Sequence, residues 1–175
     1  MQKPINLMQT LARTIELIKA QVEKKGNLNV RELGTIFAEY SATDWKKYLT
    51  VEDGQLKNTI LHQDKHLKMI LICWKPGQKS SKHGHPAGGG LIRVLSGQLF
   101  EIRFDPKDQD LETGKYVYGP QGQAAYIHDN EAFHIVENAG REMAFSLHLY
   151  SQGIATKSRH QLTVSRQPER LQKAA

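Results

Sequence analysis

His83-Gly84-His85 sets two imidazoles two residues apart. On a strand such residues project to one face, a few ångström apart, where they can grip one metal ion. The same pair also occurs in polar loops that hold no metal. Ser146, His148 and Tyr150 repeat the two-residue step, with Leu147 and Leu149 on the opposite parity. One arrangement that covers both sides is a barrel strand, its polar face lining a cavity and its leucines packed on helices or a second sheet. The alternative is a polar face turned to solvent. His134 opens the stretch Phe133-His134-Ile135-Val136-Glu137-Asn138 and offers a third imidazole from an adjacent strand. Taken alone, it reads as a hydrogen-bonded histidine before it reads as a ligand. Imidazole suits several metals, so the ligand type does not choose among iron, zinc, nickel and manganese.

Two kinds of element must position these residues. Over 5–25, Leu7, Leu11, Ile15, Ile18 and Val22 recur at three- and four-residue steps, one apolar face of a helix, with Gly26 and Asn27 as stop signals. Asn29 is a candidate N-cap for a second helix with Leu33, Ile36, Phe37 and Tyr40 inward, and a short third helix starts near Thr43 or Asp44. After residue 55 the pattern changes. Leu67–Trp74 is an almost continuous apolar run of strand length. The runs 91–95 and Leu99–Phe104, separated by Ser96-Gly97-Gln98, predict a hairpin. Further strands are expected over 116–118, 123–127, 134–137 and 143–150, with one more possible over 155–164. The expectation is a single domain over 1–175: helices over 1–50, a β-barrel over 55–164 and a loose tail over 165–175.

Composition narrows the class. The chain has 175 residues, 39% apolar and 24% charged, a globular balance. No apolar run reaches the ~18 residues of a membrane span, and Arg13, Glu16 and Lys19 break the first stretch, so it is no signal peptide. The lone Cys73 cannot form an internal disulfide and sits in an apolar run as a small hydrophobe; a cytoplasmic protein is the default. The net charge is +6, but residues 157–175 hold five Lys/Arg against one Glu. With the excess in a tail and no basic-aromatic stripe, neither nucleic acid nor membrane is expected as a partner. Arg93 shares parity with Leu91 and Leu95, so its stem is expected to pack while its head reaches the rim. His62, His66, His128 and His160 match no ligand position.

The order Gly77, His83, His85, Gly90, Gly97 has the spacing of a first cupin motif, and His134 with Asn138 resembles the end of a second. The landmarks Ile72-Cys73-Trp74, Pro76-Gly77, His83-Gly84-His85, Tyr126-Ile127, Val136-Glu137-Asn138 and Ser146-Leu147-His148-Leu149-Tyr150-Ser151 resemble, in order over about 55–152, the cysteine dioxygenase type I family of thiol dioxygenases. The resemblance implies a mainly β fold, a cupin (double-stranded β-helix, or jelly-roll) barrel with N-terminal α-helices. It implies one iron(II) per chain held by His83, His85 and His134, with Ser146, His148 and Tyr150 as the family's hydrogen-bonded catalytic series beside it.

The implied activity is addition of both atoms of O2 to the sulfur of a small thiol, L-cysteine foremost, with 3-mercaptopropionate and cysteamine also open. The product is a sulfinic acid. Glycine stands in the cupin glutamate slot at Gly90, and animal members carry there a cysteine cross-linked to the tyrosine; Tyr150 is therefore expected to be unmodified. Lys57 stands where the family has an arginine for the substrate carboxylate, and a lysine offers a point charge in place of a two-pronged contact. The rival reading is a non-catalytic or differently metallated cupin that binds a small molecule.

Overall fold

The computed structural model describes residues 9–25, 29–85, 88–120, 122 and 124–152. Leu7, the Gly26-Asn27 stop, the possible strand over 155–164 and the tail over 165–175 lie outside these residues. The apolar steps of the N-terminal segment form helix α1 (Leu11–Lys25), with Leu11, Ile18 and Val22 buried. Its first turn is capped from a distance: the Leu11 N–H donates to the Asp44 carboxylate at 3.0 and 3.2 Å. Asn29 caps as expected, its side chain accepting from the Arg31 N–H at 2.9 Å. The chain first makes a 3-10 turn, Val30–Leu33, and only then α2 (Gly34–Glu39). The third helical piece, Asp44–Tyr48, is also 3-10.

Among the described residues ten strands follow: β1 (Thr50–Glu52), β2 (Gln55–Lys57), β3 (Thr59–Gln63), β4 (Leu67–Trp74), β5 (Gly90–Ser96), β6 (Leu99–Phe104), β7 (Glu112–Tyr118), β8 (Ala125–Ile127), β9 (Phe133–Glu137) and β10 (Ala144–Ser151). β1 and β2 form a hairpin. The rest make two antiparallel sheets, β3-β4-β10-β5-β8 and β7-β6-β9. Two apolar cores fix the layering. Met69, Leu71, Leu91, Leu147 and Leu149 bury one face of the larger sheet against Leu11, Ile18, Val30, Leu33, Phe37 and Trp45 of the helical layer. Ile70, Ile72, Trp74, Ile92 and Val94, on the opposite parity, pack against Leu99 and Val136 of the smaller sheet. The expected β-barrel with N-terminal helices is thus what the chain forms, and β10 has leucines on one face and Ser146, His148 and Tyr150 on the other.

Two expectations are corrected. The runs at 91–95 and Leu99–Phe104 are strands, but not a hairpin: β5 belongs to the larger sheet and β6 to the smaller. The short turn at Gly97 (φ +74°) carries the chain from one sheet to the other. Arg93 does share a face with Leu91 and Leu95, but that face meets helices, so its head is not at the rim. Its Nη1 donates to the Ala38 carbonyl near the end of α2, and burial lowers its pKa. Cys73 is buried, its Sγ 3.5 Å from the Lys57 carbonyl, and burial pushes its thiol up, as suits a packing residue.

Candidate metal centre

The free edge of β9 positions two of the three histidines. The segment 77–85 runs antiparallel along it: Gly77 N–H donates to Asn138 O at 2.8 Å and Ser80 N–H to Val136 O at 2.8 Å. His83 and His134 then exchange both backbone hydrogen bonds, at 3.0 and 2.8 Å, so their side chains rise from the same face. Gly84 between the ligands has no room for a side chain, since a Cβ there would lie 1.9 Å from Asp129 Oδ1. Asn138 is buried and structural, its amide donating to Trp74 O at 3.0 Å and Glu142 O at 2.8 Å.

The three imidazoles meet. His134 Nε2 stands 3.0 Å from His85 Nε2 and 3.1 Å from His83 Nε2. These are the three residues whose ligand atoms gather as one metal-binding group. His83 Nδ1 faces the Ser81 carbonyl at 2.9 Å, and a carbonyl only accepts, so that nitrogen carries the proton. His134 Nδ1 faces Glu101 Oε1 at 2.6 Å. Both rings therefore spend their N–H outward and turn unprotonated Nε2 atoms toward each other. Two lone pairs 3.1 Å apart repel unless a cation lies between them, so the donor set fits a metal ion. Among the described residues no carboxylate belongs to the ligand group. Glu101 lies one bond further out, on the far nitrogen of His134.

Sequence reasoning missed Glu101. It is buried on the inward parity of β6, between Leu99 and Arg103. Its Oε2 accepts from Arg103 Nε at 2.9 Å and from the Tyr118 hydroxyl. Burial works to raise its pKa, but the hydrogen bond and charge of His134, with Tyr118 and Arg103, outweigh that and hold the carboxyl below its ordinary range. The signal available in the sequence was a carboxylate two residues after Leu99, on the parity that β6 turns inward.

Ser146, His148 and Tyr150 lie on the inner face of β10, as their spacing predicts. They form a continuous chain with a fourth member: Trp74 Nε1 donates to Ser146 Oγ at 2.8 Å, Ser146 Oγ meets His148 Nε2 at 2.8 Å, and His148 Nδ1 meets the Tyr150 hydroxyl at 2.7 Å. The Tyr150 ring stacks on His85, centroids 5.1 Å apart, which brings this chain to the metal ligands. Burial, with smaller effects of His134 and His83, pushes His148 down to about 3; burial alone raises Tyr150. Both are therefore neutral near pH 7.

Gly90 pairs with Tyr150 across β5 and β10, and a Cβ there would stand 3.1 Å from the Tyr150 ring and 3.2 Å from His85. The slot thus borders the site, packed against the Tyr150 and His85 rings with little room for a side chain. Lys57 is half-buried at the end of β2, and its carbonyl lies against Cys73. It is not one of the three residues whose ligand atoms gather.

A family model described as cysteine dioxygenase type I matches residues 1–162 of the chain. A cysteine dioxygenase type 1 of Danio rerio is 32% identical over 146 residues, covering 78% of this chain and 73% of that protein. The Homo sapiens protein of the same name is 30% identical over 150 residues, covering 82% and 74%. A solved cupin superfamily protein of Desulfitobacterium hafniense is 19% identical and covers 59% of this chain and 83% of its own, at a TM-score of 0.43.

Proposed function

The chain belongs to the cysteine dioxygenase type I family, and from that premise we propose that it oxidises L-cysteine to the sulfinic acid with iron(II) held by His83, His85 and His134. It is a cysteine dioxygenase-like enzyme on a cupin barrel with a three-histidine site. The reaction converts a thiolate and O2 to a sulfinate: two S–O bonds form, the O–O bond breaks, sulfur loses four electrons and dioxygen gains them. The observation that carries the reading is the close approach of three Nε2 atoms with no acid among them.

Three imidazole nitrogens suit iron(II) among several divalent metals, and membership of the family is what favours iron here. Bound iron would supply three further positions where a sulfur, deprotonated by coordination, and dioxygen meet. Neutral imidazoles leave the ion its full charge, and Gly90 brings no carboxylate to compete for it.

The chain's own residues handle the proton and the orientation. In this proposal Tyr150 is the catalytic donor: His148 holds its oxygen, so its hydrogen can serve the reacting oxygen or the substrate carboxylate. Ser146 and His148 fix that direction. Lys57 provides the positive charge for the carboxylate. The form we propose is cytoplasmic, with one iron per chain; the single cysteine suits a reducing compartment, and no helix among the described residues is long and apolar enough to cross a membrane.

The test is oxygen uptake by anaerobically iron-loaded protein with L-cysteine, 3-mercaptopropionate and cysteamine in parallel. Uptake with L-cysteine, sulfinate as product and loss of both in His85→Ala are expected. No uptake with any thiol at full iron occupancy would overturn the reading in favour of a small-molecule-binding cupin.

A further inference from the structure

Glu101 has both carboxylate oxygens engaged, and the two ends meet different chemistry. Oε1 faces His134 Nδ1 at 2.6 Å. Oε2 takes the Arg103 Nε–H at 2.9 Å and the Tyr118 hydroxyl. Arg103 cannot easily leave: its Nη2 donates to Tyr126 O at 3.1 Å, and its guanidinium lies 4.8 Å over the Tyr116 ring. The group is buried, with Glu101 1% and His134 3% exposed. An ionised carboxylate only accepts. It therefore dictates that His134 carries its proton on Nδ1 and presents a lone pair at Nε2.

From this we infer that Glu101, locked by Arg103 and Tyr118, is a positioning residue that sets the tautomer of His134 and so decides whether the third ligand is available. This rests on the reading of the three histidines as a metal site. A carboxylate behind a metal-bound histidine fixes the ring and raises its basicity, and losing such a partner typically costs 10–100-fold in metal affinity.

The amide replacement makes the inference sharp. In Glu101→Gln the side chain keeps its shape but must choose an orientation. The Arg103 Nε–H is a donor with no accepting capacity, so it claims the amide oxygen. The amide NH2 then faces His134 Nδ1, which must accept, and the proton moves to Nε2. That nitrogen can no longer bind a metal without a tautomer switch against its neighbour. Had Glu101 only a space-filling role, Gln would be nearly silent.

Two measurements on the full chain test this. In metal-free, nitrogen-15-labelled protein, imidazole shifts of His134 should report Nδ1–H in the wild type and Nε2–H in Glu101→Gln. Anaerobic Fe(II) titration against a competing chelator should show binding about 10–100-fold weaker in the variant. Tyr118→Phe, which leaves Arg103 and His134 engaged with Glu101, should keep the wild-type tautomer. An Nε2–H tautomer in the wild type overturns the inference even if Glu101→Gln does not fold. So does a variant that keeps Nδ1–H, or one that binds Fe(II) within twofold of the wild type. A wild type that shows Nδ1–H yet takes up no Fe(II) would instead sink the metal reading and leave the tautomer assignment standing.

Discussion

Trp74 has one polar hydrogen and no acceptor, and this gives the buried chain on β10 its direction. Its indole N–H must donate to Ser146 Oγ. The Ser146 hydrogen is then best spent on His148 Nε2, which leaves the single proton of a neutral His148 on Nδ1, donated to the Tyr150 oxygen. Reversing any link would strand a buried hydroxyl hydrogen with no acceptor among these partners, at a cost of roughly 1–3 kcal/mol. Tyr150 thus keeps its own hydrogen for whatever lies beside His85. Proposed as the carboxylate's partner, Lys57 makes a separable prediction. A charge-assisted hydrogen bond of ~1.5–3 kcal/mol corresponds to a KM raised roughly 10–100-fold in Lys57→Ala, with kcat little changed. The rise should appear with L-cysteine and 3-mercaptopropionate and be absent with cysteamine, which has no carboxylate. Steady-state oxygen uptake with the three thiols checks it. Lys68, which register sets opposite Tyr150 on β4, is the comparison: an effect confined to Lys68→Ala would move the carboxylate's partner there.

Between β5 and β6 the chain changes sheets in a turn short enough to look like a hairpin. Gly97 makes this possible. It sits at φ +74°, and a Cβ would come within 2.8 Å of Ala144 Cα and the Met143 carbonyl, backbone that starts the site-bearing strand β10. Both the strain and the clash predict that Gly97→Ala loses about 2 kcal/mol or more of stability. Urea unfolding at neutral pH measures it, and a loss below ~0.5 kcal/mol would mean the turn can relax. The same turn marks how far local pattern reaches. Leu67–Trp74 was legible because its length and apolar run match the buried strand β4, and the two-residue step in Ser146-Leu147-His148-Leu149-Tyr150 is itself the geometry that puts that set on one face; His83-Gly84-His85 lies outside the regular strands, with only His83 bridging β9, so its strand parity is not what gathers the two rings. Which strands pair is a different matter. Ser96-Gly97-Gln98 has the composition of a hairpin turn, but β10 and β8 occupy the two edges of β5, and β6 pairs with β7 and β9 instead. β1, β2 and β3 were not anticipated; their exposed positions carry little alternation. Glu101 escaped notice because its partner His134 is 33 residues away, and the two meet only through the register of β6 on β9.

At the scale of the molecule, a polar chain sits between two sheets among Ile70, Ile72, Ile92 and Val94, while helices seal the other side of β10. That layering accounts for His148 standing near 3 when its ordinary value is 6.5. The sign of the consequence follows from proton counting. Between pH 6.5 and about 3 the unfolded chain binds a proton at this residue that the folded chain refuses, so stability falls as pH falls through that window. The limiting slope for one proton is about 1.4 kcal/mol per pH unit. Below the ordinary carboxylate range Glu101 adds to the loss, because its folded pKa is depressed and protonating it removes the acceptor for His134, Tyr118 and Arg103. Metal-free protein unfolded in urea at pH 7.5, 6 and 5 should lose stability steadily, and His148→Gln should flatten the slope by up to one proton. Parallel slopes for the two proteins would show that His148 takes up its proton in the folded state, which would require water to reach the space between the sheets. A dry interior at His148 and a solvent-open cluster at His83 and His85 are then two ends of one gradient across the barrel, along which Tyr150 stands at the boundary.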